Sequence, residues 1–196
     1  MTPCRGDSGQ AFPIYITVVA GLLFLAFAYL AVGQAAANRS DAQTAADAAA
    51  LAAALETRDE LAGAWVDKVL DPDEWLPIFN GSAPGIGSAC WRAHELAALN
   101  DATAACQPDG LLAYQVETTT NKTVGDSIVP GTEGQRSTET ARAVIEPRCV
   151  FTLPGEDAGD EVLPILSCDG EDWELDPEDL TDLPDPEDLF DVHLAD

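Results

Sequence analysis

The chain has 196 residues, with 35 acidic side chains against 9 basic ones and a formal net charge of -26. This balance argues against binding nucleic acid or anionic lipid headgroups through a basic patch, so neutral, basic or metallic partners are expected. Once one apolar segment near the N-terminus is set aside, the length leaves room for a single modest domain, which excludes a large enzyme.

The apolar segment covers residues 11–32 and contains no charged side chain. At a rise of ~1.5 Å per residue it forms a helix of roughly 33 Å, enough to cross the hydrocarbon core of a bilayer. Tyr15 and Tyr29 lie near its two ends, where aromatic rings favour the membrane interface. We predict a short cytoplasmic N-terminus at 1–10 and a transmembrane helix at 11–33.

Two alternatives to an uncleaved anchor stay open. A buried core helix has a similar composition, and the small residues Ala35-Ala36-Ala37 match a cleavage site that would release a secreted protein after Ala37. The apolar run is longer than the usual signal-peptide core of about 7–15 residues, which favours the anchor. Basic residues do not orient the segment, because Arg5 and Arg39 lie on opposite flanks.

An alanine-rich stretch follows, with no proline before Pro72. Alanine has the highest helix propensity, so we predict that the helix continues as a stalk over 34–71. Side chains three and four residues apart share one helix face, and small ones allow close approach of a second helix. The stretch is therefore predicted to be an assembly surface. Its predicted helix-packing residues are Ala46, Ala49, Ala53, Leu51 and Leu55.

A small α+β ectodomain is predicted at 72–154, as a helix beside an antiparallel sheet. Proline and glycine mark a loop at its start, and a serine at the end of that loop is a typical helix cap. Segments rich in β-branched residues, punctuated by glycine and proline, predict the strands. The expected elements are a loop at 72–87, a helix at 88–105 begun by Ser88, and strands at 111–119, around Ile128 and at 140–147.

Four cysteines follow the apolar segment, an even number that favours disulfides, an oxidising compartment and hence an extracytoplasmic C-terminal part. They are Cys90, Cys106, Cys149 and Cys168. No C-x-x-C pair or suitably spaced histidine accompanies them, which argues against zinc. Three pairings are possible, and Cys149 with Cys168 is preferred because the intervening segment is loop-like. A straight helix over 88–105 would hold the other two about 24 Å apart, whereas a break near Asn100-Asp101 would let them pair.

The last part of the chain, 155–196, has 17 acidic residues and no lysine or arginine. Such a composition is typical of disorder, so we predict a disordered tail whose removal leaves the domain folded. It repeats the unit Asp-Pro-Glu-Asp-Leu at 176–180 and 185–189. Either the tail only improves solubility, or it binds divalent cations weakly or a basic partner.

No catalytic, cofactor-binding or metal-binding motif is found. The sequence Gly-Asp-Ser-Gly at 6–9 resembles a serine-protease motif, but it directly precedes the membrane helix, and only His94 and His193 could act as a base. Walker, dinucleotide-binding and EF-hand patterns are also missing from the sequence. A non-enzymatic protein without a cofactor is expected.

Residues Ser8-Gly9-Gln10, the apolar helix and the stretch from Arg39 to Ala54 resemble the N-terminal region of TadE/TadG-like proteins of Flp (tight-adherence) pilus assembly. Residues 90–147 look like the helix-then-strand pattern of small pilin-like ectodomains. The resemblance implies a single-pass protein of the bacterial cell membrane, with its C-terminal domain extracytoplasmic. It further implies a role in a Tad-type pilus or secretion apparatus, through helix packing and ectodomain contacts with other pilus-assembly membrane proteins. The alternative function is a membrane-anchored module that binds ligands through its acidic tail.

Overall fold

The computed structural model describes residues 11–123, 134–153 and 162–195. Within them, one long helix and three short ones accompany seven strands in two antiparallel sheets, which confirms the predicted α+β class. The helices are α1 (Ala11–Asp67), α2 (Trp75–Phe79), α3 (Cys90–Leu99) and α4 (Pro186–Leu189), with a 3-10 turn at Pro72–Glu74. The strands are β1 (Ala102–Pro108), β2 (Ala113–Thr120), β3 (Thr138–Pro147), β4 (Cys149–Phe151), β5 (Leu166–Cys168), β6 (Glu171–Trp173) and β7 (Phe190–Ala195).

Helix α1 runs without a break for 57 residues, through the apolar segment and most of the alanine-rich stalk. The predicted continuation of the helix is therefore confirmed. It ends at Asp67, somewhat before the predicted end at residue 71, and a turn at 68–70 leads into the 3-10 segment. Nearly all side chains at 12–37 are exposed, whereas one face of the helix is buried from Asn38 onward.

The larger sheet has the strand order β1-β2-β3-β7, and every pairing in it is antiparallel. Side chains alternate along each strand, so one face of the sheet packs against α1 and the other faces solvent. The buried side chains of β2 and β3 are Ala113, Tyr114, Val116, Thr118, Thr120, Ala141, Ala143 and Ile145. Helix α3 packs beside α1 and against β1, which completes the layer of helices.

Small side chains allow α1 to lie close to the sheet and to α3. Where a β-carbon is the whole side chain, two backbones approach closely, and the contact leaves little room for anything larger. Helix α3 contributes two further alanines to this contact, Ala93 and Ala97. The fully buried alanines of α1 are Ala42, Ala45, Ala46, Ala49, Ala50, Ala53 and Ala54.

An aromatic cluster fills the end of the core at the C-terminus of α1. The ring centroids of Trp65 and Trp75 are 5.5 Å apart, and those of Trp75 and Phe151 are 5.2 Å apart. Phe79 lies between Phe151 and Phe190, with centroid distances of 5.8 Å and 5.4 Å. Tilted and edge-on ring pairs of this kind contribute about 0.5–1.5 kcal/mol each beyond their buried area. The cluster joins α1, α2, β4 and β7.

The structure corrects the predicted helix at 88–105. Helix α3 ends at Leu99, and Asp101 adopts a positive φ of 54°, which turns the chain directly into β1. The alanines after Asp101 favour a helix locally, but pairing with β2 places them in the sheet. Strands β2 and β3 confirm the predictions at 111–119 and 140–147, with small shifts of their ends. The strand predicted around Ile128 lies outside the described residues.

Two disulfides join the four cysteines that follow the apolar segment. Cys149 pairs with Cys168 across neighbouring positions of β4 and β5, as preferred from the sequence. Cys90 pairs with Cys106, and their Cα atoms are 5.5 Å apart. This second pair forms because the chain breaks after Leu99, so β1 brings Cys106 back beside the start of α3. The break near Asn100-Asp101 considered from the sequence is thus present.

The predicted disordered tail is folded wherever the structure describes it. Residues 162–195 form β5, β6, α4 and β7, and β7 is the edge strand of the larger sheet, paired with β3. Leu166, Leu189 and Phe190 are fully buried in the core. Acidic composition was misleading here because a few apolar residues of the segment reach the core, while most of the carboxylates stay exposed. Residues 155–161 and Asp196 lie outside the described residues.

Candidate assembly surface

The most conspicuous surface of the molecule is the exposed apolar part of α1. Among the described residues, α1 is the one helix with the length and composition to cross a membrane, and its most apolar window has none of its residues buried. Phe12 is 73% exposed and Tyr29 is 83% exposed. A bare apolar helix of this length is unfavourable in water, which points to a membrane or to other helices as its surroundings.

The exposed part of α1 enters the domain at Asn38, whose side chain is 7% exposed. Its amide nitrogen donates a hydrogen bond to the carbonyl oxygen of Lys122 over 3.2 Å. Its amide oxygen accepts hydrogen bonds from the Thr120 hydroxyl at 3.0 Å and from the backbone N–H of Ser137 at 3.1 Å. Because a buried amide with all these partners fixes its surroundings, Asn38 locks α1 to the ends of β2 and β3.

Charged residues surround the point where α1 enters. The guanidinium of Arg39 pairs with Glu139 over 2.6 Å, and the ammonium of Lys122 pairs with Asp101 over the same distance. The hydrogen bond and charge of Asp101 raise the pKa of Lys122. A cavity of about 230 Å³ lies between α1, the end of α3 and the end of β2, lined in part by Asp41, Leu99 and Lys122. We call the surface formed by Arg39, Asp41, Leu99, Asp101 and Lys122 the helix-exit pole.

A second buried polar contact holds the middle of α1. The hydroxyl of Tyr114 in β2 lies 2.8 Å from the hydroxyl of Thr57 in α1 and accepts a hydrogen bond from the backbone N–H of Ala89 at 3.0 Å. One phenol therefore joins α1, the sheet and the start of α3. Ala89, rather than the predicted Ser88, is the residue at the N-cap of α3.

The predicted helix-packing residues divide into two groups. Ala46, Ala49 and Ala53 are fully buried inside the chain's own domain. Leu51 is half-buried and Leu55 is 38% exposed, on the part of the stalk that the domain covers less. The three alanines therefore pack, but within this chain, because the sheet folds back onto the very face of α1 that we predicted for a partner helix.

In the acidic C-terminal segment, each of the two Asp-Pro-Glu-Asp-Leu units forms a local hydrogen bond, one in a turn and one at the start of a helix. In the second unit, the backbone N–H of Asp185 donates to the carboxylate of Asp188 at 2.9 Å as α4 begins. In the first unit, the Asp176 carboxylate accepts from the backbone N–H of Glu178 at 2.9 Å within a tight turn. Each unit thus begins with an aspartate that forms a local hydrogen bond, Asp176 through its carboxylate and Asp185 through its backbone N–H. This role was not predicted from the sequence, although Asp-Pro at the start of each unit is typical of turns and helix starts.

The same segment lines a shallow acidic concavity of about 560 Å³, which includes Glu171, Asp172, Asp176 and Asp179. Hydrogen bonds from Thr181 lower the pKa of the exposed Asp179 carboxyl. No three histidine, cysteine or carboxylate side chains of the described residues converge closely enough to hold a metal ion. The concavity therefore lends no specific support to the weak cation binding considered from the sequence.

Comparison with known proteins bears on the N-terminal helix. The model of the family described as "Putative Flp pilus-assembly TadE/G-like" matches residues 9–56, which include the exposed apolar helix, Asn38 and the buried alanines. No curated protein and no solved structure matches the chain. The match confirms the resemblance seen in the sequence, and it identifies the first part of α1 as similar to the TadE/G-like family of Flp pilus assembly.

Proposed function

We propose that the chain is a non-enzymatic, single-pass membrane protein of a Tad-type pilus or secretion apparatus. The observation that carries the proposal is that the family match and the exposed apolar helix cover the same part of the chain. Residues 9–56 match a pilus-assembly family, and the apolar portion of that range is the part of α1 that the domain leaves bare. A helix that is uncovered in its own chain is available to other membrane helices and to lipid.

The exposed helix has features suited to packing beside other membrane helices. A β-carbon placed on Gly21 or Gly33 would meet no other atom within 4 Å, so both positions face open space. Glycine on a membrane helix lets another backbone approach closely, and van der Waals contact is a main force between helices in lipid. The stalk alanines do not serve this purpose, because the domain covers them. Helix packing is therefore assigned to residues 12–37.

Cross-linking can test the packing. We expect a photoreactive side chain placed at successive positions of 12–32 to give adducts with neighbouring membrane proteins, and the strong positions to recur every three or four residues. Val66, which is 45% exposed near the far end of α1, is the matched control position outside the membrane. Adducts of equal strength at all positions, or none above the level at Val66, would contradict a specific helix contact.

The disulfides support an extracytoplasmic location for the domain, because such bonds persist in oxidising compartments. A membrane-impermeant thiol reagent, applied to intact cells after reduction, is expected to label the four domain cysteines and spare Cys4. Permeabilised cells are the control, in which all five cysteines react. Labelling of Cys4 alone in intact cells would mean that the chain has the reverse orientation.

A further inference from the structure

The helix-exit pole directly follows a helix segment whose length matches a whole bilayer. Residues 11–37 contain no charged side chain, and the first charge after them is Arg39. At ~1.5 Å per residue this segment is about 40 Å long, and a bilayer with its headgroup layers is about 40–45 Å thick. Because Asn38 is already buried in the domain, no spacer separates the end of the bilayer from the domain.

The helix joining the two parts is continuous, and the contact at Asn38 fixes its entry into the domain. Three hydrogen bonds tie the Asn38 amide to the ends of β2 and β3. A buried hydrogen bond from the Thr118 hydroxyl to the carbonyl oxygen of Ala42, 2.8 Å long, holds the next turn. With a rigid helix and a fixed junction, the surface around Asn38 must face the bilayer.

The charge of this surface suits contact with lipid headgroups, although the whole chain is strongly acidic. Around Asn38 three basic residues, Arg39, Lys122 and Arg136, accompany three acidic ones, Asp41, Asp101 and Glu139. By contrast, the described C-terminal residues 162–195 include no lysine or arginine. Among the described residues, the surface around Asn38 thus has balanced charges, whereas the C-terminal segment has negative ones without lysine or arginine, so this surface is the less repelled of the two by an anionic membrane.

Two kinds of side chain on the helix-exit pole can contact headgroups. The side chains of Arg39 and Lys122 are each 74% exposed. Asp101, the partner of Lys122, is 66% exposed, and because an exposed ion pair contributes only about 0–1 kcal/mol, a lipid phosphate can replace it. Glu139, the partner of Arg39, is only 19% exposed, so a phosphate would bind on the solvent side of the Arg39 guanidinium. Leu99 is 74% exposed at the end of α3, where an apolar side chain in water has no evident role. Long basic chains and an apolar side chain together are typical of membrane-interface contacts.

We propose that the helix-exit pole is a lipid-contact surface, in which Arg39 and Lys122 bind headgroup phosphates and Leu99 lies in the headgroup layer. This inference rests on the membrane anchor proposed above. Its consequence is that the domain stands upright on the membrane and presents its acidic C-terminal segment away from the lipid.

The test uses the full chain in vesicles of phosphatidylethanolamine and phosphatidylglycerol, with Cys4→Ser to remove the thiol outside the disulfides. A fluorescent thiol label is placed at Leu99→Cys or, as the matched control, at Val150→Cys. Val150 is 71% exposed and lies near Pro72, beyond the far end of α1, roughly 40 Å from the pole along the helix. A nitroxide on the lipid headgroup is expected to quench the label at position 99 several-fold more than the label at 150.

Equal quenching at the two positions, in protein that floats with the vesicles, would overturn the inference and leave the anchor intact. Failure of the protein to float would overturn both. The double substitution Arg39→Gln and Lys122→Gln is expected to reduce quenching at position 99, whereas Lys68→Gln at the far end of α1 should leave it unchanged. Unchanged quenching in the double variant, with an unchanged melt, would overturn the role of the two basic side chains.

Discussion

Truncation of the chain after Leu153 is expected to abolish the cooperative unfolding transition of the domain. The deletion removes β7 from the sheet, removes the buried Leu166, Leu189 and Phe190, and breaks the disulfide of Cys149. Each large core side chain is worth about 2–5 kcal/mol and the disulfide about 2–4 kcal/mol. Together these losses come to about 8–19 kcal/mol, which is as large as the total stability of about 5–15 kcal/mol that domains have.

Circular dichroism during thermal or urea unfolding measures this effect on detergent-solubilised protein. A point variant shows the effect of losing one buried side chain without deleting the segment. Phe190→Ala is expected to cost about 3–5 kcal/mol, because the ring is fully buried between Phe79 and the sheet. Leu194→Ala, in the same strand but 39% exposed, is the matched control and should cost clearly less. A truncated domain that melts as cooperatively as the full chain would show that the C-terminal segment is dispensable.

Replacement of Ala46, Ala49 and Ala53 by leucine is expected to destabilise the domain itself. All three are fully buried where α1 meets the chain's own sheet and α3, and overpacking costs about 1–3 kcal/mol per site. The triple variant therefore loses a large part of the domain's stability, although leucine is an excellent helix former. Any defect in assembly would follow from this unfolding rather than from a blocked partner surface.

The matched control places three leucines at Ala35, Ala36 and Ala37, which are exposed on the same helix just outside the domain. Each of these substitutions should change the free energy of unfolding by no more than about 0.5 kcal/mol, the range of surface substitutions. Urea unfolding of both triple variants gives the comparison. If the triple variant at 46, 49 and 53 had the same urea midpoint as the unsubstituted protein, the buried alanines of α1 would not be tightly packed against the sheet and α3.

Local sequence patterns were sufficient to predict the elements that form from the preferences of neighbouring residues. The apolar run and the alanines that follow it predicted one long helix, and β-branched residues predicted β2 and β3. The boundary after Leu99 was missed because Ala102, Ala104 and Ala105 favour a helix, and only their pairing with β2 places them in a strand. Such long-range pairing overrides weak local preference.

The same limit explains why the sequence did not show what covers the alanine face or what the C-terminal segment contributes to the core. An alanine face predicts close approach, but the sequence does not say whether the approaching group is another protein or a later segment of the same chain. In this protein it is the sheet that starts at Ala102. The C-terminal segment was interpreted from its average composition, whereas its role depends on a few residues, above all Leu189 and Phe190, meeting a distant core. Asn38 was missed because a lone asparagine in a helix gives no signal of its partners.

The pairing of β7 with β3 also constrains how the protein is made. Helix α1 is synthesised first, and its alanine face needs the sheet as cover, while the edge strand that completes this sheet ends at Ala195. The sheet cannot be completed until the residues of β7 have left the ribosome. During that interval the buried alanines of α1 are still uncovered, although the helix itself is already complete. An unfinished chain with an uncovered alanine face is prone to associate with its neighbours, so late completion of the sheet lengthens the time during which this protein is prone to aggregate.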